Sequence, residues 1–393
     1  MAAAPAPEGE IPASTVPPSA IEEVTTVSAP SQIAEEPVNA LFVADDPSHS
    51  EPAPGIAPAA TQPPLPPLGF VILEKPGQSA PAQTIEAIGN DHPVVFVTYS
   101  GDNGPGEAAR AAGAIVVKMR GENETPPARS RNAGFRQLRK LAEDLDYVQF
   151  LDGDSVIHSQ WLQNACAVME RRPELAILEG VTVDTGTAVR PQGMPEVKEI
   201  RATGDNVLMR VKNFVELGGF RGDLMVADIQ DFCLRTRGRG HHVGRVDVPM
   251  VTAMQKKKSV ASWWARHREN GFNNAFSAAL HGSPPERFKV AETRETVLWG
   301  FGIPAVALLA AAAITGFTYY VVPIGIPILW GIGVLLGVLL LYFAKALYHR
   351  FAERDDRAPS LRFAASRLLG VFPAFIGIVT FYRWRRQQLK TGT

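Results

Sequence analysis

The sequence predicts an α/β domain on a doubly wound parallel sheet, followed by a membrane domain of transmembrane helices. Short β-branched runs alternate with helical segments between residues 69 and 152. Two apolar stretches near the C-terminus contain no charged side chain, and the first 68 residues are rich in Pro, Ala, Ser, Thr and Glu. These observations divide the chain into an acidic Pro/Ala-rich tail (1–68), an α/β domain (69–255), an amphipathic interfacial helical segment (256–293) and a membrane domain (294–393).

The α/β domain is indicated by runs whose hydrophobic period changes along the chain. Strands are predicted at 70–73, 94–98, 115–119 and 148–151, and helices at 82–88, 107–112 and 128–145. Alternating strands and helices pack as a parallel sheet with helices on its faces. Ligands bind at the carboxyl ends of such strands, and Asp102, Asp152 and Asp154 fall there.

The N-terminal tail has too few apolar residues to form a packed core, so we predict that it is disordered. Its last part, Gln62–Pro67, leaves a Pro-rich docking motif as the alternative. Residues 1–73 contain nine acidic residues and no Lys or Arg, so the rest of the chain has 39 Lys and Arg against 31 acidic residues, although the whole chain has a net charge of −1. A basic body suits anionic partners such as nucleotide phosphates or lipid headgroups.

The C-terminal third predicts membrane insertion. Residues 298–317 and about 320–341 are each long enough to cross the hydrocarbon core of a bilayer. A third apolar segment, 368–382, is shorter and contains Pro373, so we expect it to be re-entrant or interfacial. Basic residues before, between and after these segments favour a cytoplasmic α/β domain. We therefore predict a multi-pass protein of an inner or plasma membrane.

Two carboxylates follow the fourth predicted strand, in the sequence Phe150-Leu151-Asp152-Gly153-Asp154-Ser155. Acids one residue apart, on the turn that leaves a strand, can face one cleft and bind a hard divalent cation. Mg²⁺ or Mn²⁺ held in this way keeps coordination positions open for a substrate diphosphate. A plain Asp-Gly turn is the alternative, because Asp-x-Asp is a short pattern.

Four segments occur in an order that resembles the family 2 glycosyltransferases, which have the GT-A (Rossmann-like) fold, across about residues 69–290. In chain order they are a helix start (127–134), the metal motif (151–155), an acceptor-side segment (204–210 with 216–220) and an acidic motif (228–235). The resemblance is to membrane-anchored, inverting enzymes of the bacterial exopolysaccharide type. It implies a nucleotide-sugar donor, UDP- or GDP-linked, and Mn²⁺ or Mg²⁺.

The resemblance also implies residue roles. Asp154 would hold the metal, with Asp152 at the metal or near the ribose or sugar of the donor. Asp228 would be the base that deprotonates the acceptor hydroxyl; Asp231 is the alternative base, although a structural role suits it as well. Donor binding is expected from Asp102, Arg129, Arg131, Asn132 and Asp152, unless the two arginines are surface charges.

Two departures from the family pattern concern the donor. The paired acids that usually end the second strand are replaced by Thr98 and Tyr99, which leaves the nucleotide open. The stretch 248–254, where relatives often have a histidine near the metal, contains none.

The acceptor is expected beside the acidic motif and the segment that leads to the membrane. Trp264 would stack on a sugar and Arg266 would hold a pyrophosphate; an interfacial helix with aromatic anchors is the equal alternative. The acceptor-side residues implied are Asn206, Gly218, Gly219, Asp231, Trp264 and Arg266.

The sequence thus predicts a metal-dependent glycosyltransferase of hexosyltransferase type. Its partners would be a nucleotide-sugar, a lipid-linked or polysaccharide acceptor and membrane lipids, and no feature indicates nucleic-acid recognition. The alternative is a non-catalytic GT-A-like membrane scaffold or regulator of polysaccharide assembly. That alternative follows from the missing nucleotide-side acids and from an acidic motif with one acid fewer than usual.

Overall fold

The computed structural model describes residues 64–75, 81–100, 104–121, 125–183, 195–253, 259–321, 326–352, 366 and 368–391. Most of the predicted tail and the candidate donor ligand Asp102 lie outside the described residues.

The described residues of the α/β domain form one nine-stranded sheet. Its spatial order is β3-β2-β1-β4-β8-β6-β9-β5, with β7 paired to β9. The strands are β1 (Leu68–Leu73), β2 (Val94–Thr98), β3 (Ile115–Lys118), β4 (Tyr147–Asp152), β5 (Ser155–Ile157), β6 (Leu175–Val183), β7 (Val197–Glu199), β8 (Val207–Arg210) and β9 (His242–Ala253).

The prediction of a parallel sheet is correct for one half of the sheet. Strands β3, β2, β1 and β4 are mutually parallel, as the alternation with helices predicts. Strand β8 is antiparallel to both β4 and β6, and β9 is parallel to β6 but antiparallel to β5 and β7. The described residues between β6 and β8 contain a strand and no helix, whereas parallel neighbours need a long crossover. The sheet is therefore mixed.

Seven helices accompany the sheet within the described residues and precede the C-terminal helices. They are α1 (Pro81–Ile88), α2 (Pro105–Ala111), α3 (Pro127–Leu141), α4 (Trp161–Arg171), α5 (Val211–Glu216), α6 (Asp228–Gly238) and α7 (Val260–His281). Helix α3 ends four residues earlier than predicted, because Ala142 adopts an extended conformation.

Two hydrophobic cores cover the two faces of the sheet. Successive side chains of a strand point to opposite faces, so Phe70 and Ile72 enter one core while Val71 and Leu73 enter the other. The second core contains a cluster of aromatic rings whose centroids lie 4.5 to 5.5 Å apart. Its members are Phe135, Phe150, Phe214, Phe220 and Phe232. This cluster packs α3, α5 and α6 against the end of β4.

The C-terminal helices include two that are long and apolar enough to cross a membrane, by length and composition. The candidate spans are Val290–Tyr320 and Ile328–Lys345. The helices are α8 (Val290–Val297), a π-helical turn (Leu298–Gly302), α9 (Ile303–Val321), α10 (Ile326–Ala352) and α11 (Val371–Thr391). The third apolar segment of the sequence falls largely within α11, which packs along α7.

Glycines allow α7 and α11 to approach each other closely. A methyl group at Gly271 of α7 would overlap the backbone carbonyl of Ala374, and one at Gly377 of α11 would overlap the carbonyl of Arg268. Both obstacles are backbone atoms of a helix, which cannot move aside as a flexible side chain can. The contact therefore requires glycine on both helices.

We expect Gly271→Ala and Gly377→Ala to force α7 and α11 apart. Overpacking of this kind costs roughly 1–3 kcal/mol or more, so each variant should lower the thermal unfolding midpoint of the detergent-solubilised protein. Gly333→Ala in α10 is the matched control, because a methyl there meets no described atom within 4 Å. Equal midpoints for all three variants would contradict the close packing.

Candidate active site

A cavity of about 760 Å³ opens at the carboxyl ends of β1 and β4. Small-molecule sites typically occupy about 300–1,000 Å³, so the cavity has the size of a ligand site. One wall is the charged end of the sheet, with Lys75 and Asp152; the second is the segment 225–228 that leads into α6; the third is a polar face of α7. The sequence predicts ligands at this edge of the sheet.

Lys75 connects the two carboxylates of the metal motif. Its Nζ lies 2.6 Å from Oδ2 of Asp152 and 3.9 Å from Oδ1 of Asp154. The strands explain this contact, because Leu73 at the end of β1 pairs in register with Asp152 at the end of β4. The residues just after β1 therefore lie beside the turn that follows β4. Sequence reasoning did not identify Lys75 as a site residue.

Arg131 of α3 is the buried cation of the site, with 5% of its surface exposed. Its Nη1 donates to both carboxylate oxygens of Asp228, at 2.7 and 3.0 Å. Its Nη2 lies 3.8 Å from Oδ1 of Asp152 and 3.6 Å from Oδ1 of Asp205. Arg131 thus joins the metal motif to the start of the acidic motif.

The pKa values follow from burial and from these charges. Burial raises the pKa of Asp152 above its ordinary value, and the nearby Asp205 carboxylate adds to the effect, although Lys75 and Arg131 oppose it. Burial acts to lower the pKa of Lys75, but attraction to Asp152 and Asp154 outweighs it, so that pKa is raised. The pKa of Arg131 is raised in the same way, since its three carboxylates outweigh burial. Both cations therefore stay charged at neutral pH.

The residues present fit a divalent metal. Four carboxylates face two cationic side chains, which leaves an excess of negative charge that a further cation would offset. Asp152 and Asp154 offer the hard oxygen ligands that Mg²⁺ and Mn²⁺ prefer. The described residues contain no group of three or more His, Cys, Asp or Glu arranged around one metal position.

Asn206 was expected on the acceptor side, and in the structure it holds the turn of the metal motif. Its Oδ1 accepts a hydrogen bond from the backbone N–H of Asp152 at 2.8 Å, and its Nδ2 donates to Oγ of Ser155 at 3.2 Å. These two bonds clamp the turn on both sides of Asp154. Asn206 is absent from the described lining of the cavity.

Glu74 directly follows β1 and accepts hydrogen bonds from the residues at the end of β2. It accepts hydrogen bonds from Oγ1 of Thr98 at 2.5 Å, from the backbone N–H groups of Tyr99 and Ser100 at 2.6 and 3.1 Å, and from Oγ of Ser100. Burial acts to raise the pKa of Glu74, but these hydrogen bonds outweigh it and the pKa is lowered. The carboxylate therefore ties the ends of β1 and β2 together beside the cavity.

Helix α3 uses its other candidate donor ligands to hold a loop. Nε of Arg129 donates to the carbonyl of Gly222 at 2.8 Å. Asn132 donates from Nδ2 to the carbonyl of Phe220 at 2.8 Å and accepts from its N–H at 3.0 Å. Of these three α3 residues that were expected to bind the donor, Arg131 is thus the one that lines the cavity.

The glycines of this loop are needed for its conformation. Gly218 and Gly219 have φ angles of +73° and +74°, which side chains rarely tolerate. A methyl at Gly219 would also lie 2.8 Å from Oδ1 of Asn132. The two expected acceptor-side glycines therefore shape the loop that α3 holds.

The two candidate bases lie in different environments. Asp228 lines the cavity, and the preceding Ala227 has a left-handed φ of 61°, a strained conformation for alanine. Asp231 is buried, where its carboxylate accepts from Nε of Arg235 at 2.8 Å and from Nε2 of His281 at 3.0 Å. Burial acts to raise the pKa of Asp231, but the hydrogen bonds from His281 and Arg235 lower it. Asp231 connects α6 to the end of α7.

Trp264 and Arg266 lie near the start of α7, outside the described lining of the cavity. Both are exposed, while the neighbouring Trp263 donates from Nε1 to Oγ of Ser366 at 2.5 Å. The part of α7 that reaches the cavity begins at Glu269. The sequence signal for it was the recurrence of polar residues at 269, 270, 273, 274 and 277.

The structure is similar to solved glycosyltransferases. Mannosyltransferase PcManGT from Pyrobaculum calidifontis, in complex with GDP-Man and Mn²⁺, matches with a TM-score of 0.51 and 17% identity, over 82% of this chain and 89% of that chain. The chain has a glycosyltransferase fold. S. aureus TarS (residues 1–349) matches at 12% identity over 83% of this chain and 92% of that chain, but its TM-score of 0.35 is too low to carry an argument.

No protein-family profile and no curated protein matches the sequence. The predicted glycosyltransferase fold is confirmed, whereas membership of family 2 and the exopolysaccharide type stay predictions.

We expect Arg131→Met to destabilise the protein strongly. Breaking a buried ion pair by removing one partner costs about 3–5 kcal/mol, and here Asp228 would lose the guanidinium that it contacts at 2.7 Å. The double variant Arg131→Met/Asp228→Leu should recover part of that loss, because replacing both partners by apolar side chains is often neutral.

Denaturant unfolding of the detergent-solubilised protein measures this effect. Arg136→Met, on an exposed position of the same helix, should change the unfolding free energy by about 0.5 kcal/mol or less. If the single and the double variant unfold at the same denaturant concentration, the pair is not what stabilises the site.

Proposed function

We propose that the chain is an inverting, metal-dependent glycosyltransferase that moves a sugar from a nucleotide-sugar to a membrane-associated acceptor. One observation carries the proposal: Asp152 of the metal motif and Asp228 line one cavity, joined by Arg131, at the ligand-binding edge of a glycosyltransferase fold. The fold match to PcManGT, a mannosyltransferase solved with GDP-Man and Mn²⁺, supports a UDP- or GDP-sugar as donor.

The charged end of the sheet suits the diphosphate of the donor. Asp154 and Asp152 would hold the divalent ion, which when bound offsets the charge that develops on the leaving diphosphate. Lys75 and Arg131 add two fixed positive charges beside it. Lys75 is half-exposed and reaches both acids, so it can also contact a phosphate oxygen.

Asp228 suits the role of the general base. Each of its oxygens accepts one hydrogen bond from Arg131 and keeps further acceptor capacity for an acceptor hydroxyl. Deprotonation of that hydroxyl, as it attacks the anomeric carbon from the face opposite the leaving group, gives inversion by a single displacement. Arg131 fixes the orientation of the carboxylate.

A membrane-associated acceptor suits the rest of the chain. Helix α7 lines the cavity, and the first candidate span, which begins with α8, follows it in the chain. The acceptor would be a lipid-linked saccharide or a growing polysaccharide, because a site beside the bilayer raises the local concentration of such a molecule. The basic residues around the apolar segments support a cytoplasmic catalytic domain in an inner or plasma membrane.

A non-catalytic membrane scaffold is the second candidate. One observation favours it: Lys75 and Arg131 already engage the carboxylates that would bind metal and act as base. Turnover that depends on metal and on Asp154 separates the two functions.

We expect the purified protein in detergent to hydrolyse one member of a panel of UDP-, GDP- and dTDP-sugars with Mn²⁺ or Mg²⁺. Release of the nucleoside diphosphate should stop with EDTA and fall roughly 100-fold or more in Asp154→Ala, because the ion is held there. Asp247→Ala, at an exposed acid paired with Lys198, is the control and should keep full activity. No release and no metal-dependent nucleotide binding from any donor would favour the scaffold.

We further expect Asp228→Asn to lower the rate of sugar transfer to the acceptor much more than the rate of donor hydrolysis. Loss of a general base lowers the rate roughly 10²- to 10⁴-fold, whereas the amide keeps an oxygen that Arg131 can contact. The measurement is incorporation of labelled sugar into the lipid extract of source-organism membranes. Asp231→Asn is the comparison, since loss of its contacts to Arg235 and His281 should mainly lower the unfolding midpoint. Wild-type transfer by Asp228→Asn would remove Asp228 from the mechanism.

A further inference from the structure

We propose that the polar face of α7 is a subsite for the hydroxyl groups of a saccharide. This α7 wall consists of Glu269, Asn270, Asn273, Asn274 and Ser277. The inference rests on the proposed function, since it assigns the sugar-binding part of the same cavity. It moves the expected sugar contacts from Trp264 toward the C-terminal half of the helix.

The α7 wall is one of two distinct faces of the helix. Its residues recur at intervals of three and four positions, which places them on one side. The other side packs against α11, where Phe272 and Phe276 contact Phe381 and Trp384. Within the polar face, Asn273 and Asn274 are half-buried and Ser277 is buried. These amides are therefore partly withdrawn from water, unlike an ordinary solvated helix face.

One atom of the wall lacks a partner. Oδ1 of Asn273 is buried and makes no hydrogen bond with any described residue. An unsatisfied buried acceptor is destabilising, and buried polar atoms of native proteins nearly always have a partner. Asn273 also lines the cavity, so a turn of its amide toward the cavity would let a hydroxyl of a ligand supply the missing donor.

The chemistry of the α7 wall differs from that of the cavity wall at the charged end of the sheet. Amide groups both donate and accept, as hydroxyl groups do, and Glu269 is the single ionisable side chain among these five. The charged end of the sheet carries Lys75, Arg131 and the carboxylate of Asp152, which suit a diphosphate and its metal. A neutral, hydroxyl-rich group is therefore the ligand that the α7 wall fits.

The position of the wall indicates the acceptor as one source of these hydroxyls. Lys289 also lines the cavity and is the N-cap residue of α8, directly before the candidate span Val290–Tyr320. An acceptor held in the membrane would reach Asp228 past α7. The sugar of the donor is the other source, and both present the same chemistry.

The test uses Asn273→Leu and Asn274→Leu in the full chain, with Asn164→Leu as control. Leucine removes the amide with little change in volume, and loss of an unsatisfied acceptor should not lower the unfolding midpoint of Asn273→Leu. Asn164 lies on α4, outside the cavity lining, and bonds only locally to the carbonyl of Gln160 among its described contacts. The same substitution there should therefore leave function unchanged.

Two readouts separate the sources of the hydroxyls. The first is the affinity, with Mn²⁺, for the nucleotide-sugar that the wild type hydrolyses and for the matching nucleoside diphosphate. The second is the rate of transfer of labelled sugar into lipid of source-organism membranes, over a range of membrane amounts. A donor sugar at the wall predicts a loss of about tenfold in nucleotide-sugar affinity with unchanged diphosphate affinity. An acceptor at the wall predicts unchanged affinities and about tenfold more membrane for half-maximal transfer.

Either pattern in the Asn273 or Asn274 variant supports the subsite. Changes of less than about twofold in both readouts, relative to Asn164→Leu, would overturn it while leaving the transferase intact. A wild-type protein that neither binds nor hydrolyses any donor would refute the proposed function itself, and the subsite with it. That result is distinguishable because it does not depend on the variants.

Discussion

The guanidinium of Arg131 determines the geometry of the candidate site, because three separate parts of the chain are arranged around its charge. Asp152 ends β4, Asp205 precedes β8, and Asp228 begins α6. A buried arginine does not lose its proton, so these carboxylates are drawn to it in any ligand state. The cation also separates the candidate metal ligands from the candidate base.

The burial of Arg131 depends in turn on the packing of α3. Arg129 and Asn132, on the same turn, hold the loop that contains Gly219 by hydrogen bonds to its backbone. Rings on α3, β4, α5 and α6 pack around Phe214 and exclude water from this side of the sheet. The low local dielectric strengthens the ion pairs, although removing the charges from water is costly. Removal of one charged partner alone would therefore leave another charge buried and unpaired.

The sequence predicts the parts of the site that are local along the chain. The parallel half of the sheet follows from its alternation with helices, and the turn with Asp152 and Asp154 from two acids directly after a buried strand. Lys75 was missed because its contact with Asp152 depends on the pairing of β1 with β4, which are distant in sequence. Glu74 was missed for the same kind of reason, since its hydrogen bonds join the ends of β1 and β2, which are distant in sequence. The antiparallel half has no local signal, because strand direction depends on connections rather than on hydrophobic period.

The cavity and the C-terminal helices form one structural unit through α7. Its polar face lines the cavity, its opposite face contacts α11 through glycines that admit no side chain, and its last residue, His281, bonds to the buried Asp231 of α6. Helix α7 is thus fixed by the C-terminal helices on one side and by the α/β domain on the other. The C-terminal helices therefore support the α7 wall of the cavity from its opposite face.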